Sequence, residues 1–240
     1  MKESATVPLL KLLTVAGSRR HMADAIRNGR VTVNGQIAAD FRQPVDRKTD
    51  RVLLDGAPVG ATVEKPLCLM LNKPAGILST TADERGRRTV LDILPEKYRR
   101  LRLYPIGRLD LDTTGLLLLS NDGELTNLLT HPRYEHEKEY LVRIAGKLTG
   151  AEKQKLEHGI RLEDGVTSPA KIREVATPDY NYSLTIHEGK KRQVRRMFAR
   201  LGYRALALKR VRTGNLALGD LKEGQVRELT AREIARLMER

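Results

Sequence analysis

The chain has 240 residues, of which 44 are Lys or Arg and 30 are Asp or Glu, so its formal net charge is +14. Such an excess favours a polyanionic partner, and nucleic acid fits better than a membrane because no basic amphipathic helix carries a bulky aromatic face. The single Cys68 excludes an internal disulfide, the histidines lack zinc-ligand spacing, and no segment approaches the ~20 apolar residues that span a bilayer. We therefore expect a cytoplasmic protein without a structural metal or a membrane segment.

Residues 9–35 predict two short helices followed by a hairpin. Apolar side chains from Leu9 to Ala16 share one helical face, and Gly17 ends that helix. Ser18 can cap a second helix that runs to Asn28. The next segment, "VTVNGQI", alternates apolar and polar residues around Asn34-Gly35, a pair that tolerates the positive φ angles of a type I′ turn.

Arginines in this segment form a candidate phosphate-binding edge, since two of them stand at a helix N-terminus and the others follow along the helix and before the hairpin. They are Arg19, Arg20, Arg27 and Arg30. The alternative is that they are ordinary solvated surface residues. Charge, helix terminus and hairpin together favour contact with RNA.

A stretch rich in Gly and Pro, "DGAPVGATVEKP", indicates a linker, so we place a boundary near residue 62 and predict domains 1–61 and 62–240. The larger domain alternates short strands with helices, which makes the fold class α+β. Strands are predicted at 68–74, 101–107, 114–120, 139–146, 182–187 and 205–211, and helices at 87–94, 123–130, 150–158 and 190–201. Thr230 and Glu233 form a capping-box pattern that starts a final helix.

The segment "GRLDLDTTGLLLLSNDGEL", residues 107–125, places acidic residues between two apolar runs. Three interpretations of Asp110 compete: a residue that hydrogen-bonds its own loop, one half of a glycosidase-like pair with Asp112, or a lone carboxylate nucleophile. Spacing alone does not choose among them.

Longer motifs resemble known families. "GSRRHMADAIRNGRVTVNG" resembles the S4 RNA-binding module, with Pro8 standing where that module commonly has a basic residue. Three further segments resemble the bacterial ribosomal pseudouridine synthases of the RsuA type, which carry an S4 module ahead of a catalytic domain. They are "NKPAGILST" at 72–80, "GRLDLDTTGLLLLSNDGEL" at 107–125 and "EGKKRQVRRMFARLGYRALALKRVRTGNL" at 188–216.

This resemblance implies a mixed, mainly antiparallel sheet with flanking helices and a central cleft, and an enzyme that isomerises uridine to pseudouridine in ribosomal RNA without a cofactor. It implies that Asp110 is the nucleophile, that Tyr140 packs against the target base and that Arg195 pairs with the nucleophile. It also implies that Arg108 holds the flipped-out nucleotide or fills its vacated place, and that other basic residues bind RNA. These are Lys73, Lys190, Lys191, Arg192 and Arg196.

The residues themselves bear on two of these roles. Val194, Met197, Phe198 and Leu201 make one apolar stripe on the predicted helix 190–201, and at 100° per residue only Arg195 among the neighbouring arginines flanks that stripe closely. We therefore expect Arg195 to enter a pocket and keep Asp110 ionised, whereas Arg192 should lie nearly opposite. Tyr140 shares a strand face with other apolar residues, which without the resemblance indicates a core position.

The segment "RLEDGVTSPAKIR" looks more like the branch of the family that modifies the large ribosomal subunit, so 23S RNA is the expected target. We also expect a monomer. Alternatives are the same reaction on 16S RNA, a non-catalytic RNA-binding or assembly factor, and a nucleoside or glycoside hydrolase. Residues 188–212, with ten Lys or Arg and one acidic residue, favour an RNA-facing surface in each of the RNA-binding alternatives.

Overall fold

A computed structural model describes residues 6–59 and 65–239. The chain divides into two compact units, Met1–Lys65 and Pro66–Arg240. The boundary predicted near residue 62 lies outside the described residues. Each unit has its own apolar core. Among the described helices, none is long and apolar enough to cross a bilayer.

The N-terminal unit is the predicted helix–helix–hairpin arrangement with short added strands. Its helices are α1 (Leu9–Leu13) and α2 (Arg19–Arg27). Its strands are β1 (Thr6–Pro8), β2 (Val31–Val33), β3 (Gln36–Ile37), β4 (Pro44–Asp46), β5 (Val52–Leu54) and β6 (Ala57–Pro58). They pair in the order β3-β2-β5-β6, with a separate antiparallel pair of β1 and β4.

The first helix is shorter than predicted, since α1 ends at Leu13 and not at Gly17. Two other local signals in this unit behave as the sequence predicts. The Ser18 hydroxyl caps α2 by accepting a hydrogen bond from the backbone N–H of His21 at 3.1 Å. Asn34 and Gly35 have φ angles of 52° and 83°, so both residues of the hairpin turn are left-handed. The predicted cap and hairpin are therefore confirmed.

The strands described within residues 65–239 are β7 (Cys68–Lys73), β8 (Tyr104–Ile106), β9 (Thr114–Ser120), β10 (Lys138–Ile144), β11 (Arg161–Leu162), β12 (Gly165–Val166), β13 (Lys171–Glu174), β14 (Tyr182–Ile186), β15 (Ala205–Thr213), β16 (Leu216–Ala217) and β17 (Val226–Glu228). Nine of them form one sheet with the main order β13-β14-β10-β15-β9-β7-β17, while β8 joins β9 and β16 joins β15. All described neighbours in this sheet are antiparallel except β9 and β15.

Helices cover both faces of this sheet. Alternate residues of β7 and β9 enter different apolar clusters, because successive side chains of a strand point to opposite faces. The helices are α3 (Glu96–Arg99), α4 (Gly123–Thr130), α5 (Gly150–His158), α6 (Gln193–Arg200) and α7 (Ala231–Met238), with a 3₁₀ turn at Pro132–Tyr134. The predicted helices 123–130 and 150–158 and the capping box at Thr230 are confirmed.

The predicted helix over 87–94 is wrong. Thr89 forms an isolated parallel bridge with Leu78, and the carboxylate of Asp92 accepts hydrogen bonds from the Thr89 N–H and hydroxyl at 2.7 and 2.9 Å. Side-chain bonds of this kind compete with helix formation, and Pro95 disfavours helical geometry in the residue before it. Val90 and Leu94 are buried although the segment consists of turns, and the helix starts only at Glu96.

The predicted helix over 190–201 is shorter than expected. It begins at Gln193 because Arg192 adopts a left-handed backbone conformation with φ 50° and ψ 32°. Arg192 therefore precedes the helix, and its side-chain direction does not follow the helical wheel that placed it opposite the pocket.

Two local features align β15 with its neighbours. Gly115 has φ 104°, and a Cβ there would lie 2.2 Å from the carbonyl oxygen of Arg210 on the parallel strand. On the other side of β15, the register against β10 shifts so that Glu139 faces Arg212 and Tyr140 faces Arg210. Val211 therefore has no partner on β10, which makes this position a β-bulge. Because of the bulge, the side chains of Arg210 and Arg212 point to different faces of the sheet.

We expect Gly115→Ala to lower the free energy of unfolding by about 3 kcal/mol or more, since it adds both backbone strain and a clash with β15. Urea denaturation measures this. Gly150→Ala is the matched control, because Gly150 starts α5 and has open space around its Cβ position. Equal stability of the two variants would contradict the close approach of β9 and β15.

Candidate active site

A cavity of about 490 Å³ opens in the C-terminal unit where the loop before β9, strands β10 and β15, and the segment before α6 converge. Five of the residues predicted from the sequence line it: Arg108, Asp110, Tyr140, Lys190 and Arg192. They come from three separated stretches of sequence, so the fold assembles the predicted motifs into one cleft.

The Asp110 loop, defined here as residues 107–113, is held in place because residues outside the loop form hydrogen bonds with its backbone groups. Ser79 is buried, and its hydroxyl donates to the carbonyl of Leu109 at 2.9 Å and accepts from the Leu109 N–H at 3.1 Å. Ser79 lies in the "NKPAGILST" motif. That motif therefore fixes the residue just before Asp110.

A second set of bonds fixes the residue just after Asp110. The carbonyl of Leu111 accepts from the Gly76 N–H at 2.8 Å and from Lys73 Nζ at 3.5 Å, while Lys73 also donates to the Pro74 carbonyl at 2.8 Å. Lys73 is fully buried, and burial lowers its pKa to about 8 against the opposing effect of nearby acidic residues. The structure thus places Lys73 beneath the loop, away from the residues that line the cleft.

Arg195 completes the support of the loop. Its guanidinium donates to the carbonyls of Asp112 and Ala205, both at 2.9 Å, and to the hydroxyl of Thr113 at 3.3 Å. The side chain is only 12% exposed. Arg195 therefore joins α6 and β15 to the Asp110 loop through main-chain acceptors.

The charges at the cleft differ from the expected pairing. Among the described ion pairs, Arg195 reaches the carboxylate of Asp112 at 3.2 Å, and the side chain within 4.0 Å of Asp110 is Arg192, at 3.9 Å from Oδ2. Arg192 also contacts Asp112 at 3.4 Å. The expectation that Arg192 points away is wrong because this residue lies outside the helix.

The Asp112 side chain is 52% exposed and is held by two arginines. Desolvation raises its pKa, but the hydrogen bond from Arg192 and the charges of Arg195 and Arg192 outweigh this, so its pKa lies below the ordinary value. Asp112 therefore stays ionised at neutral pH and holds both arginines next to Asp110. The loop-bonding interpretation fits Asp112 better than it fits Asp110, which is 30% exposed at the cleft.

Tyr140 lies on the floor of the cleft with 9% exposure. From β15 the cavity is lined by Leu208, Arg210 and Thr213, a spacing of two and then three residues. The bulge at Val211 explains this change of spacing, because it turns Arg210 toward the cleft and lets Arg212 bind Glu139 on the other face at 3.0 Å.

Other residues predicted to bind RNA are distributed differently. Arg108 and Lys191 are exposed, whereas Arg196 makes a bidentate contact with Asp164 at 2.8 and 2.9 Å. Lys190 donates to the Val166 carbonyl at 3.0 Å and lies 3.7 Å from Glu188. Arg196 and Lys190 therefore also anchor the β11–β12 hairpin to the segment that carries Arg192.

In the N-terminal unit, the four predicted arginines are all exposed. Arg27 is paired with Asp24, and Arg30 makes a two-point contact with Asp55. Exposed pairs of this kind contribute little to stability. Arg19 and Arg20 stand in the first turn of α2, directly after the Ser18 cap.

Sequence reasoning missed Ser79, Gly115, Lys138 and Arg210 as parts of the site. Ser79, Gly115 and Arg210 stand in the quoted motifs, and Gly115 before an apolar run is a signal of close backbone approach. The positions of Lys138 and Arg210 follow from strand register, which no local pattern shows. Within the described residues, no group of three or more His, Cys, Asp or Glu side chains is placed to hold a metal ion.

Comparison with known proteins agrees with this architecture. A family model described as RNA pseudouridylate synthase matches residues 68–200, and one described as S4 domain matches residues 9–59. The chain is 42% identical to "Ribosomal large subunit pseudouridine synthase B" of Bacillus subtilis, over 95% of this chain and 94% of that protein. It is 39% identical to the protein of the same name from Vibrio cholerae, over 96% of this chain and 74% of that protein.

A solved structure is similar as well: a crystal structure of a pseudouridylate synthase matches with a TM-score of 0.69 and 34% identity, covering 96% of this chain and 99% of that chain. The fold and the cleft therefore define an RNA-modifying isomerase with an added RNA-binding module. The chain belongs to the RNA pseudouridylate synthase family and carries an S4 domain.

We expect Ser79→Ala to lower kcat by about tenfold, because it removes both bonds that hold Leu109 and lets Asp110 move. Single-turnover conversion of RNA and a thermal melt check this together. Thr80→Ala is the control, since the Thr80 hydroxyl bonds only to Ala82 within the next turn. A Ser79→Ala variant as fast as the wild type would contradict the role of this clamp.

Lys73 should give the protein a pH-dependent stability. Its pKa is about 8 when folded and 10.5 when unfolded, so between these values the unfolded chain binds more protons. The contribution of Lys73 to stability therefore rises from pH 8 to pH 10.5, by at most about 3 kcal/mol, and is constant below pH 8. Urea denaturation of wild type and Lys73→Met at several pH values should show the wild type gaining relative to the variant. Parallel curves would disprove it.

Proposed function

We propose that this protein converts uridine to pseudouridine in ribosomal RNA of the large subunit, acting as a monomer in the cytoplasm. The observation that carries the proposal is the position of Asp110: a partly exposed carboxylate on a clamped loop, with Tyr140 in the same cleft and a guanidinium 3.9 Å away. The names of the Bacillus and Vibrio relatives support the large subunit as the target.

The reaction breaks the bond between C1′ and N1 of uridine, rotates the uracil and joins C1′ to C5, after which the C5 hydrogen leaves as a proton and N1 takes up a proton. The product is an isomer, so no oxidant, reductant or external energy source enters the balance. Asp110 supports this either by attacking C1′ or by removing the C2′ proton, and in both routes uracil departs with the electron pair of the broken bond. When C5 joins C1′, the ester bond between Asp110 and C1′ breaks in the first route, and the proton returns to C2′ in the second. Arg192 and Arg195 keep positive charge close to the loop.

A base within a helix is out of reach of such a site, so the target uridine must flip out, at a cost of a few kcal/mol. Stacking against Tyr140 offsets part of this cost. Arg108 is exposed at the cleft and precedes Asp110 by two residues, which suits contact with the flipped nucleotide or the gap it leaves. Exposed Lys191 and the arginines of α2 are proposed to bind phosphates.

Neither alternative function is favoured by the site. A glycosidase pair requires two separately placed carboxylates, but Asp112 is bound by Arg192 and Arg195 and does not line the cavity. A purely structural RNA-binding protein does not require a clamped acidic loop inside a cationic cleft.

The domain division is proposed to be an S4 module up to residue 61 and a catalytic domain from residue 62.

We expect Asp110→Asn to reduce pseudouridine formation by about 1,000-fold or more while RNA binding stays within about threefold, because the amide has the same shape but no charge. Release of tritium from RNA labelled at uridine C5 measures the reaction, since hydrolysis would instead free uracil. Asp179→Asn, at an exposed site outside the cleft, is the matched control. An active Asp110→Asn enzyme would reject the proposal.

A further inference from the structure

Arg210 is a buried cation that has no role in the proposed reaction as described so far. It is 5% exposed, and its only hydrogen bond among the described residues runs from Nε to the carbonyl of Leu116 at 2.7 Å. Its two terminal nitrogens are bonded to no described residue, yet they are not among the fully enclosed polar atoms. Since Arg210 lines the cleft, these nitrogens are open to it.

The arginine also lacks an acidic partner. Among the described residues, no carboxylate oxygen lies within 4.0 Å of its guanidinium, whereas Arg192, Arg195, Arg196 and Arg212 all have one. A buried guanidinium without an anion costs free energy, and buried charges in proteins are normally paired. The guanidinium of Arg210 is therefore suited to bind a ligand group that is negatively charged or is a strong hydrogen-bond acceptor.

Lys138 adds a second cation on the same side of the cleft. Its amine donates to the carbonyls of His136 and His187 at 2.8 and 3.3 Å, and it lines the same cavity. Burial lowers its pKa, and the nearby charge of Arg210 adds to this, so that the pKa of Lys138 falls to about 8. Two cations therefore lie on this side of the cleft, and no carboxylate among the described residues is within 4.0 Å of either one.

Depth in the cleft separates a base from a phosphate as the occupant. A flipped nucleotide enters base first, because its phosphates remain joined to the RNA chain. Exposed Arg108 and Arg192 are accessible to phosphates, whereas Arg210 is buried and stands directly opposite Tyr140 in the β10–β15 register. The group that meets Arg210 is therefore the base that stacks on Tyr140.

We propose that the terminal nitrogens of Arg210 donate hydrogen bonds to a carbonyl oxygen of the flipped uracil and stabilise the negative charge it carries once the C1′–N1 bond has broken. The electron pair of that bond moves onto uracil and is delocalised over N1 and the ring carbonyls. It returns when C5 bonds to C1′; the C5 proton then leaves and N1 takes up a proton, so atoms and electrons balance. This inference rests on the proposed function and makes Arg210 a catalytic residue of the same site.

The test compares Arg210→Met and Arg210→Lys with wild type in single-turnover assays at saturating enzyme. Loss of a preorganised donor to a developing anion should slow Arg210→Met by about 100-fold or more, with the Kd for RNA unchanged. The defect should shrink by about tenfold on RNA carrying 5-fluorouridine at the target, measured as loss of that nucleotide. Fluorine withdraws electrons, so the fluorouracil anion requires less stabilisation.

Arg143→Met is the matched control, because it removes the same charge from an exposed position on β10. Thermal melts check folding, and if Arg210→Met is unfolded, Arg210→Lys decides: it keeps the charge, loses the two-point donor and should be slowed about tenfold.

Two results would overturn the inference. One is an Arg210 variant with an unchanged rate at saturation but a higher Kd and a salt dependence shallower by about one ion, which would assign Arg210 to a phosphate. The other is an equal defect on uridine and 5-fluorouridine. Failure of the proposed function is distinguishable, since the wild type itself would then form no pseudouridine.

Discussion

The site depends on the immobilisation of a seven-residue loop by backbone hydrogen bonds from both sides. Ser79 holds the residue before Asp110, Gly76 and Lys73 hold the residue after it, and Arg195 holds the next carbonyl. In the proposed reaction the carboxylate gains rate from such placement, because the cost of orienting it is met during folding. The carboxylate itself remains free to contact the substrate.

The sheet provides the second half of the site through two departures from regular geometry. Gly115 lets β9 lie against β15 with no side chain between them, and the bulge at Val211 turns Arg210 into the cleft beside Tyr140. Together they bring the loop that precedes β9 and the floor formed by β10 and β15 into one cavity. Bulges and glycines of this kind are common where a strand must aim a side chain at a ligand.

Charge is arranged differently at each depth of the cleft. Beside the Asp110 loop, Arg192 and Arg195 share Asp112, so their charge is partly compensated and their positions are set. At the floor, Arg210 and Lys138 have no carboxylate within 4.0 Å among the described residues. Compensated charge suits residues that position a loop, whereas uncompensated buried charge suits residues that face a substrate.

The sequence alone determined the class of fold, the hairpin at Asn34-Gly35 and most helices and strands, since these follow from local chemistry. The proposal of Asp110 as the nucleophile came from the resemblance of its motif to a known family. Sequence reasoning mispredicted the helix over 87–94 and the direction of Arg192, because side-chain bonds and one left-handed residue overrode the apolar spacing. Only the tertiary structure decided which carboxylate each arginine meets and that Arg210 faces the cleft. Those facts depend on strand register and on contacts between segments more than 80 residues apart, such as Arg195 and Asp112, which no local pattern encodes.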